Sequence, residues 1–287
     1  MKYIYLINKF HLKEKTKPLI NRLEDLSKQY NRDYSIEIIE TVQDFSKVMD
    51  KYENNKDIIT AIGGDGSINH VLNSIINTEN ILSYIPYGTG NDFSRANIET
   101  LEDGIHEIDV VRINDKYFIN VACFGIDADI ANDDRYIRNN LIPKSMRYNA
   151  GVIHHFLTYK PKKIKIEIDD QTFEDQYTTV VVANNRYYGG GYKVSPLSDI
   201  KDGKMELIIC DKLGKINMAK TILSMKDGGH LNNPHIKLMD ATKLTISSDT
   251  PLSGNIDGEE ICDTKYEIEL LPAKLKIETN KSFIQQF

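Results

Sequence analysis

The sequence predicts an α/β domain followed by a β-rich, mainly antiparallel one. Two observations predict it. Over the first hundred residues, short apolar runs alternate with stretches of helical period; beyond about residue 105, strand-like runs meet at tight polar turns. In the first part "KYIYLIN" (2–8), "YSIEIIE" (34–40), "DIITAI" (57–62) and "ILSYIP" (81–86) read as strands. The segments 15–30, 44–52 and 67–77 between them read as helices, the first with Leu19, Leu23 and Leu26 on one side. Strands separated by single helices imply crossovers, hence a mainly parallel sheet with helices on both faces.

In the second part "HEIDVVRIN", "DKYFINVACFG", "KKIKIEIDD", "QTFEDQYTTVVVANN", "GKMELIIC", "ATKLTISS" and "YEIELLPAKLKIET" are strand-like. Asn114-Asp115 and Asp169-Asp170 are hairpin signals, and helical period survives near 128–139, 144–158 and 215–226. This half reads as an antiparallel sheet or sandwich with a few helices. Two domains make a cleft between them the expected site.

The 287 residues carry a formal charge of −6, which argues against a nucleic-acid surface, and no run is apolar enough to span a bilayer. The sixteen tyrosines form no base-stacking cluster. Cys123, Cys210 and Cys262 lie far apart and read as reduced core residues of a cytosolic protein. His11, His106, His230 and His235 are isolated and read as structural or exposed.

Two strands of the first half end in glycine loops: Gly63-Gly64-Asp65-Gly66-Ser67 and Gly88-Thr89-Gly90-Asn91-Asp92. In a parallel sheet both open on one edge, where glycines let backbone N–H groups approach an anion at a helix N-terminus. That points to a nucleotide phosphate. Asp65 would repel it, unless a divalent cation stands between them or the carboxylate caps the helix beginning near Ser67. Capping alone accounts for Asn91 and Asp92.

In the second half, the run Gly189-Gly190-Gly191 costs backbone entropy, and Asp199 and Asp202 share a tight turn that is either a cation loop or a surface turn. Asp257, Glu259 and Glu260 follow a Gly254-Asn255 turn, as an acidic hairpin or as a general base for an attacking hydroxyl.

Taken together, "GGDGSINHVLN", "IPYGTGNDFSR", "YFINVACFGIDADI", "GGGYKVSP", "DGKM" and "NIDGEE" resemble, in order, the bacterial soluble diacylglycerol kinase family of lipid kinases, related to sphingosine kinases. The resemblance implies a nucleotide domain over 1–106 and 279–287 and a β-rich lipid-acceptor domain over 107–278. It implies transfer of the ATP γ-phosphoryl group to the hydroxyl of a diacylglycerol-like lipid. ATP would meet the loop Asn8, Lys9, Phe10, His11 and Leu12, then Thr41, then Gly64, Asp65, Gly66, Ser67, Ile68, Asn69 and His70. Gly88, Thr89, Gly90, Asn91 and Asp92 complete that set. Asp257 matches the proton acceptor, with Glu259 beside it. A structural Mg²⁺ maps to the Asp202 side chain and the Asp199 and Lys204 carbonyls. The resemblance is also compatible with a homodimer.

The chain departs from the family pattern twice. Its first loop lacks the usual Pro and Gly, so Lys9, Lys13 or Lys15 would serve phosphate instead, and His70 stands where an acidic residue is usual. Two other readings stay open: a soluble-metabolite kinase like NAD kinase, and a catalytically weak lipid-binding paralogue. From Arg135 to Lys165 there is no Asp or Glu. This basic stretch reads either as a peripheral contact with an anionic membrane surface at the inner face of the cell membrane, or as a solvated helix and a Lys-rich edge strand.

Overall fold

The computed structural model describes residues 1–9, 15–88, 90–132 and 158–287. Contacts divide the chain into two compact units, 1–108 with 273–287, and 109–272. The crossings fall inside two continuous strands, so no turn signal marks them in sequence. They lie at 108 and 273, where the resemblance suggested 106 and 279.

The first unit begins with β1 (Tyr3–Asn8), α1 (Thr16–Gln29), β2 (Tyr34–Ile39), α2 (Val42–Tyr52) and β3 (Ile58–Gly63). It continues with α3 (Asp65–Ile75), β4 (Ile81–Pro86) and α4 (Asp92–Thr100). β5 (Gly104–Ile113) leaves this unit; β13 (Glu259–Thr279) and α7 (Lys281–Ile284) return to it. The end of β13 lies beside β4, followed by β3, β1 and β2, with parallel pairing throughout, from Ile277↔Leu82 to Tyr3↔Tyr34. Alternation sends Tyr5 and Ile7 to one face, where they pack on Leu19, Leu23 and Leu26 of α1 and on Phe283 of α7. Leu6 and Asn8 point to the other face, towards residues of α2 and α3.

The second unit adds β6 (Lys116–Phe118), β7 (Val121–Gly125), α5 (Ile126–Asn132), β8 (Lys162–Ile168) and β9 (Gln171–Ala183). Then come β10 (Met205–Asp211), α6 (Lys215–Ser224), a 3₁₀ turn at Gly229–Asn232, β11 (Ile236–Ala241) and β12 (Lys243–Ile256). Pairing among these strands is antiparallel. Asn114 and Asp169 take left-handed backbone angles at the two expected hairpins. The long strands β9 and β12 each pair with β7 at one end and with β8 at the other, closing a ring β9–β7–β12–β8. β12 manages this through a register break between Ser247 and Leu252. A continuous core of Phe124, Ile166, Val180, Val182, Ile246, Ile256 and Tyr266, among others, fills this unit.

Three expectations change. Helical period near 128–139 corresponds to α5, which begins at Ile126; residues 133–157, and with them nearly all of the expected 144–158 helix, lie outside the described residues. Gly254-Asn255 is not a turn: it pairs with Phe124 and Cys123 inside β12. Cys262 is exposed, unlike the buried Cys123 and Cys210, because it occupies an outward position of β13 in a polar stretch without alternation.

His230 is buried, and its Nε2–H donates to the Val194 carbonyl at 2.9 Å. Burial pushes the imidazole below its ordinary value, against the opposing pull of that bond and of Asp227. The neutral ring therefore contributes stability above the unfolded value, lost as the pH falls through the lower folded one. The urea midpoint should fall between about pH 7.5 and about pH 5, and fall less in His230→Gln, since the unfolded imidazole titrates near ~6.5.

Candidate active site

In the first unit the site begins with two helix N-termini. β3 runs into Gly63-Gly64, and α3 starts at Asp65 with Gly64 as its extended N-cap and no capping side chain. The first turn of α3 thus presents backbone N–H groups, and a helix N-terminus favours an anion. β4 runs into the second loop, where Asn91 adopts the left-handed region at φ 57. Its amide closes the loop on itself: Gly88 N–H donates to Asn91 Oδ1 at 3.1 Å, and Asn91 Nδ2 donates to the Gly88 carbonyl at 2.9 Å.

The Asp65 carboxylate neither faces the anion site alone nor caps its own helix. It accepts hydrogen bonds from Asp92 N–H at 3.0 Å and Phe93 N–H at 2.9 Å, so it caps α4 across the two loops. This corrects the reading that Asp65 caps its own helix: the carboxylate is met by the positive end of α4. The loops touch at glycine. A Cβ at Gly88 would lie 2.5 Å from Gly64 Cα, and one at Gly90 would lie 2.9 Å from Asp65 Oδ2.

Beside these loops lies a cavity of about 410 Å³ that brings Asn8, Thr41, Ser67 and His70 together. Thr41 is held by a capping box, its Oγ1 accepting from Asp44 N–H at 3.1 Å and its own N–H donating to Asp44 Oδ2 at 3.0 Å. Leu6, Ile39, Val42, Phe45, Ala61 and Val71 make most of the wall apolar. The His70 ring lies 6.2 Å from that of Phe45. Sequence reasoning missed Val42, Phe45 and Glu40; the one signal was an apolar pair one turn apart at a helix start. Lys9, expected to serve phosphate, pairs with Glu40 at 2.6 Å in an exposed ion pair of small energetic weight. Phe10, His11, Leu12 and Thr89 lie outside the described residues.

In the second unit Asp257 and Gly258 form the two-residue turn between β12 and β13, both with positive φ (48° and 95°). Asp-Gly suits this type I′ geometry. The Asp257 side chain folds back into the protein. Its Oδ1 accepts from Asn120 and Val121 N–H at 3.0 Å each, and its Oδ2 from Ile119 N–H at 2.9 Å. Charge-assisted bonds of this kind fix both oxygens. Glu259 is half-buried with Lys116 Nζ at 3.8 Å.

The 199–204 turn is built from its own carboxylates: Asp199 Oδ1 accepts from Lys201 N–H at 3.0 Å and Asp202 Oδ1 from Lys204 N–H at 3.2 Å. Asp109, buried in β5, joins it by accepting from Gly203 N–H at 2.8 Å. A carboxylate inside the apolar run of β5 was the overlooked signal. Burial raises the Asp202 carboxyl above its ordinary value, and the charges of Asp199 and Asp109 add to that rise. A cation would relieve this crowding. No cluster of three or more His, Cys, Asp or Glu side chains poised for a metal occurs among the described residues. Mg²⁺ is commonly held by one or two carboxylates with water, and the turn offers Asp199 and Asp202.

Of the basic stretch, Lys162 pairs with Asp129 at 2.6 Å, Lys163 with Glu174 at 2.6 Å, and Lys165 with Glu167 at 2.7 Å.

The sequence matches two family patterns: the diacylglycerol kinase catalytic domain over residues 2–117, and the YegS C-terminal NAD kinase beta sandwich-like domain over residues 120–279. The chain belongs to the diacylglycerol kinase family of lipid kinases. Among its relatives, a diacylglycerol kinase of Bacillus subtilis is 28% identical over 71% of this chain and 71% of its own. One of Staphylococcus saprophyticus is 28% identical over 72% of each. The solved structure of a diacylglycerol kinase from Bacillus anthracis str. Sterne shares the fold, with TM-score 0.67, 20% identity and coverage of 98% of both chains.

The contact between the glycine loops sets a sharp contrast. Gly88→Ala should cost about 1–3 kcal/mol in urea unfolding and abolish nucleotide binding, because backbone must move. Gly66→Ala, whose Cβ meets no protein atom within 4 Å, should be tolerated in the unfolding assay.

Proposed function

We propose that the protein transfers the γ-phosphoryl group of ATP to the hydroxyl of a diacylglycerol-like lipid. The observation carrying this reading is the cavity at the first glycine loop, where Asn8, Thr41, Ser67 and His70 converge beside an uncapped helix N-terminus. In this reading the apolar wall with Phe45 takes the base, while the first-turn amides of α3 and the Ser67 hydroxyl take phosphate oxygens. The Asp65–α4 cap holds the second loop against the same phosphates.

The acceptor hydroxyl oxygen forms a bond to the γ-phosphorus as the bond to the β-phosphate bridging oxygen breaks. The hydroxyl proton passes to Asp257, and ADP leaves with the electron pair. Glu259 lies near enough in sequence to orient that proton transfer. Mg²⁺, where bound, supplies charge neutralisation; Asp202 with the Asp199 and Lys204 carbonyls would hold one ion in the 199–204 turn. The two units take separate roles, the first the nucleotide and the second the lipid.

No helix among the described residues is long and apolar enough to cross a membrane. We place the protein in the cytoplasm, in peripheral contact with the inner face of the cell membrane, where its substrate resides; pairing into homodimers is compatible with this. Lys162, Lys163 and Lys165 stand in ion pairs, and Arg135, Arg138, Lys144 and Arg147 of the 135–165 stretch lie outside the described residues.

Transfer of labelled phosphate from ATP to a panel of lipids in mixed micelles tests the reading. Asp257→Asn keeps the turn preference but replaces one acceptor by a donor facing N–H groups. Turnover should drop about 10²–10⁴-fold, with about 1–3 kcal/mol lost in unfolding; wild-type turnover in Asp257→Asn would remove the carboxylate from the mechanism. Separately, Mg²⁺ should raise the melting temperature of the wild type and leave Asp202→Asn unchanged, a readout independent of activity.

A further inference from the structure

The second unit exposes an apolar stripe on a helix surrounded by lysines. Residues 212–226, "KLGKINMAKTILSMK", contain Lys212, Lys215, Lys220 and Lys226 and no Asp or Glu, in a chain of net charge −6. Within them α6 buries Met218 and Thr221 and packs with Leu213, Cys210 and Ile126, Ile222 lying partly buried against them. Its opposite side carries Ile216 and Leu223, 75% and 77% exposed. They are seven residues apart, two helical turns, and so lie one above the other with Lys220 between them. Scattered exposed apolar residues need no explanation, but two of the most exposed in the molecule on one helical stripe do. Val42, equally exposed, lines the cavity of the first unit; nothing comparable accounts for Ile216 and Leu223.

Lys220 and Lys226 form no ion pair among the described residues, and Lys212 Nζ donates to the neutral Gln176 Oε1 at 3.0 Å. The neighbouring acids are engaged elsewhere: Asp211 with Lys237 at 3.6 Å, and Asp227 with Gly229 N–H at 3.1 Å. An apolar stripe flanked by lysines is the composition of a helix lying in a lipid interface, its apolar side chains among the acyl chains and its ammonium groups at anionic headgroups.

We infer that α6 with its flanking lysines is a membrane-docking element, and that its occupant is a bilayer surface carrying anionic phospholipid. The choice of occupant rests on charge complementarity and on the lipid-kinase reading. The element is placed to serve that reaction. Its inner face packs on Ile126 at the start of α5, which continues from β7. The opposite end of β7 and the residues before it supply the N–H groups that hold Asp257. A strand of this length spans roughly 16 Å from Val121 to Ile126, so docking through α6 sets the carboxylate about one strand length from the headgroups.

Sedimentation of the full chain with extruded phosphatidylcholine vesicles, with and without phosphatidylglycerol, tests this. Ile216→Ser/Leu223→Ser should lower partitioning about tenfold or more on phosphatidylglycerol-containing vesicles, with an unchanged melting temperature because both sites are exposed. Lys220→Glu/Lys226→Glu should lower it similarly on those vesicles and leave the weak binding to pure phosphatidylcholine as it was. Lys160→Glu/Lys162→Glu/Lys163→Glu, which alters the other basic segment, should change it less than either pair. Wild-type partitioning by Ile216→Ser/Leu223→Ser overturns the proposal. So does a change in that variant's oligomeric state without loss of vesicle binding, which would assign the stripe to a second copy of the chain. Turnover in detergent micelles, read in parallel, should stay at the wild-type level in both α6 variants. Its absence in the wild type would strike the kinase reading and leave the vesicle comparison to decide the docking surface.

Discussion

One carboxylate seated on one helix end organises the glycine loops of the first unit. Asp65 leaves its own helix and binds the first two amides of α4, joining the ends of β3 and β4 into a single ledge. Everything nearby follows. Glycine is required at 88 because the two loops approach to backbone contact there, and a Cβ at 90 would press on the Asp65 carboxylate. The N-terminus of α3, with no capping side chain of its own, stays open to an external anion. A negative residue beside an open helix end is thus no contradiction, since the neighbouring helix end takes its charge.

The second unit uses the same chemistry at a tighter scale. Asp257 sits in a two-residue hairpin turn, a place where Asp-Gly would be unremarkable for conformational reasons alone. Three consecutive backbone N–H groups draw its carboxylate inward and fix its direction. A carboxylate held by main chain depends on the fold and not on a neighbouring rotamer, and in the role proposed for Asp257 that is the kind of preorganisation phosphoryl transfer rewards.

How far the sequence could be read depended on the range of the interaction involved. Leu19, Leu23 and Leu26 announced α1 because a helix stripe is a local pattern, and Asn114 and Asp169 announced hairpins because they tolerate left-handed angles. The partners of Asp65 are 27 and 28 residues away, and those of Asp257 more than 130, so motif spacing indicated their importance and not their bonds. Asp109 escaped notice because a lone acid in an apolar strand carries no motif; only the fold brings it to Gly203. Cys262 was misplaced because its polar stretch lacks the alternation that tells one face of a strand from the other. The family itself was legible from six ordered motifs, since glycine loops and acidic turns tolerate few substitutes.

The last segment of the chain has a consequence for synthesis. The end of β13 lies between β4 and β5, and Phe283 of α7 packs on Tyr5 and the leucines of α1. Until residues 273–287 have emerged from the ribosome, β4 is an unpaired edge and the face carrying Tyr5 and Ile7 lacks part of its cover. The unit whose strands are made first is therefore completed last. During translation it must wait through the whole β-rich insertion with an open strand edge, the kind of surface that invites wrong pairing and engages chaperones.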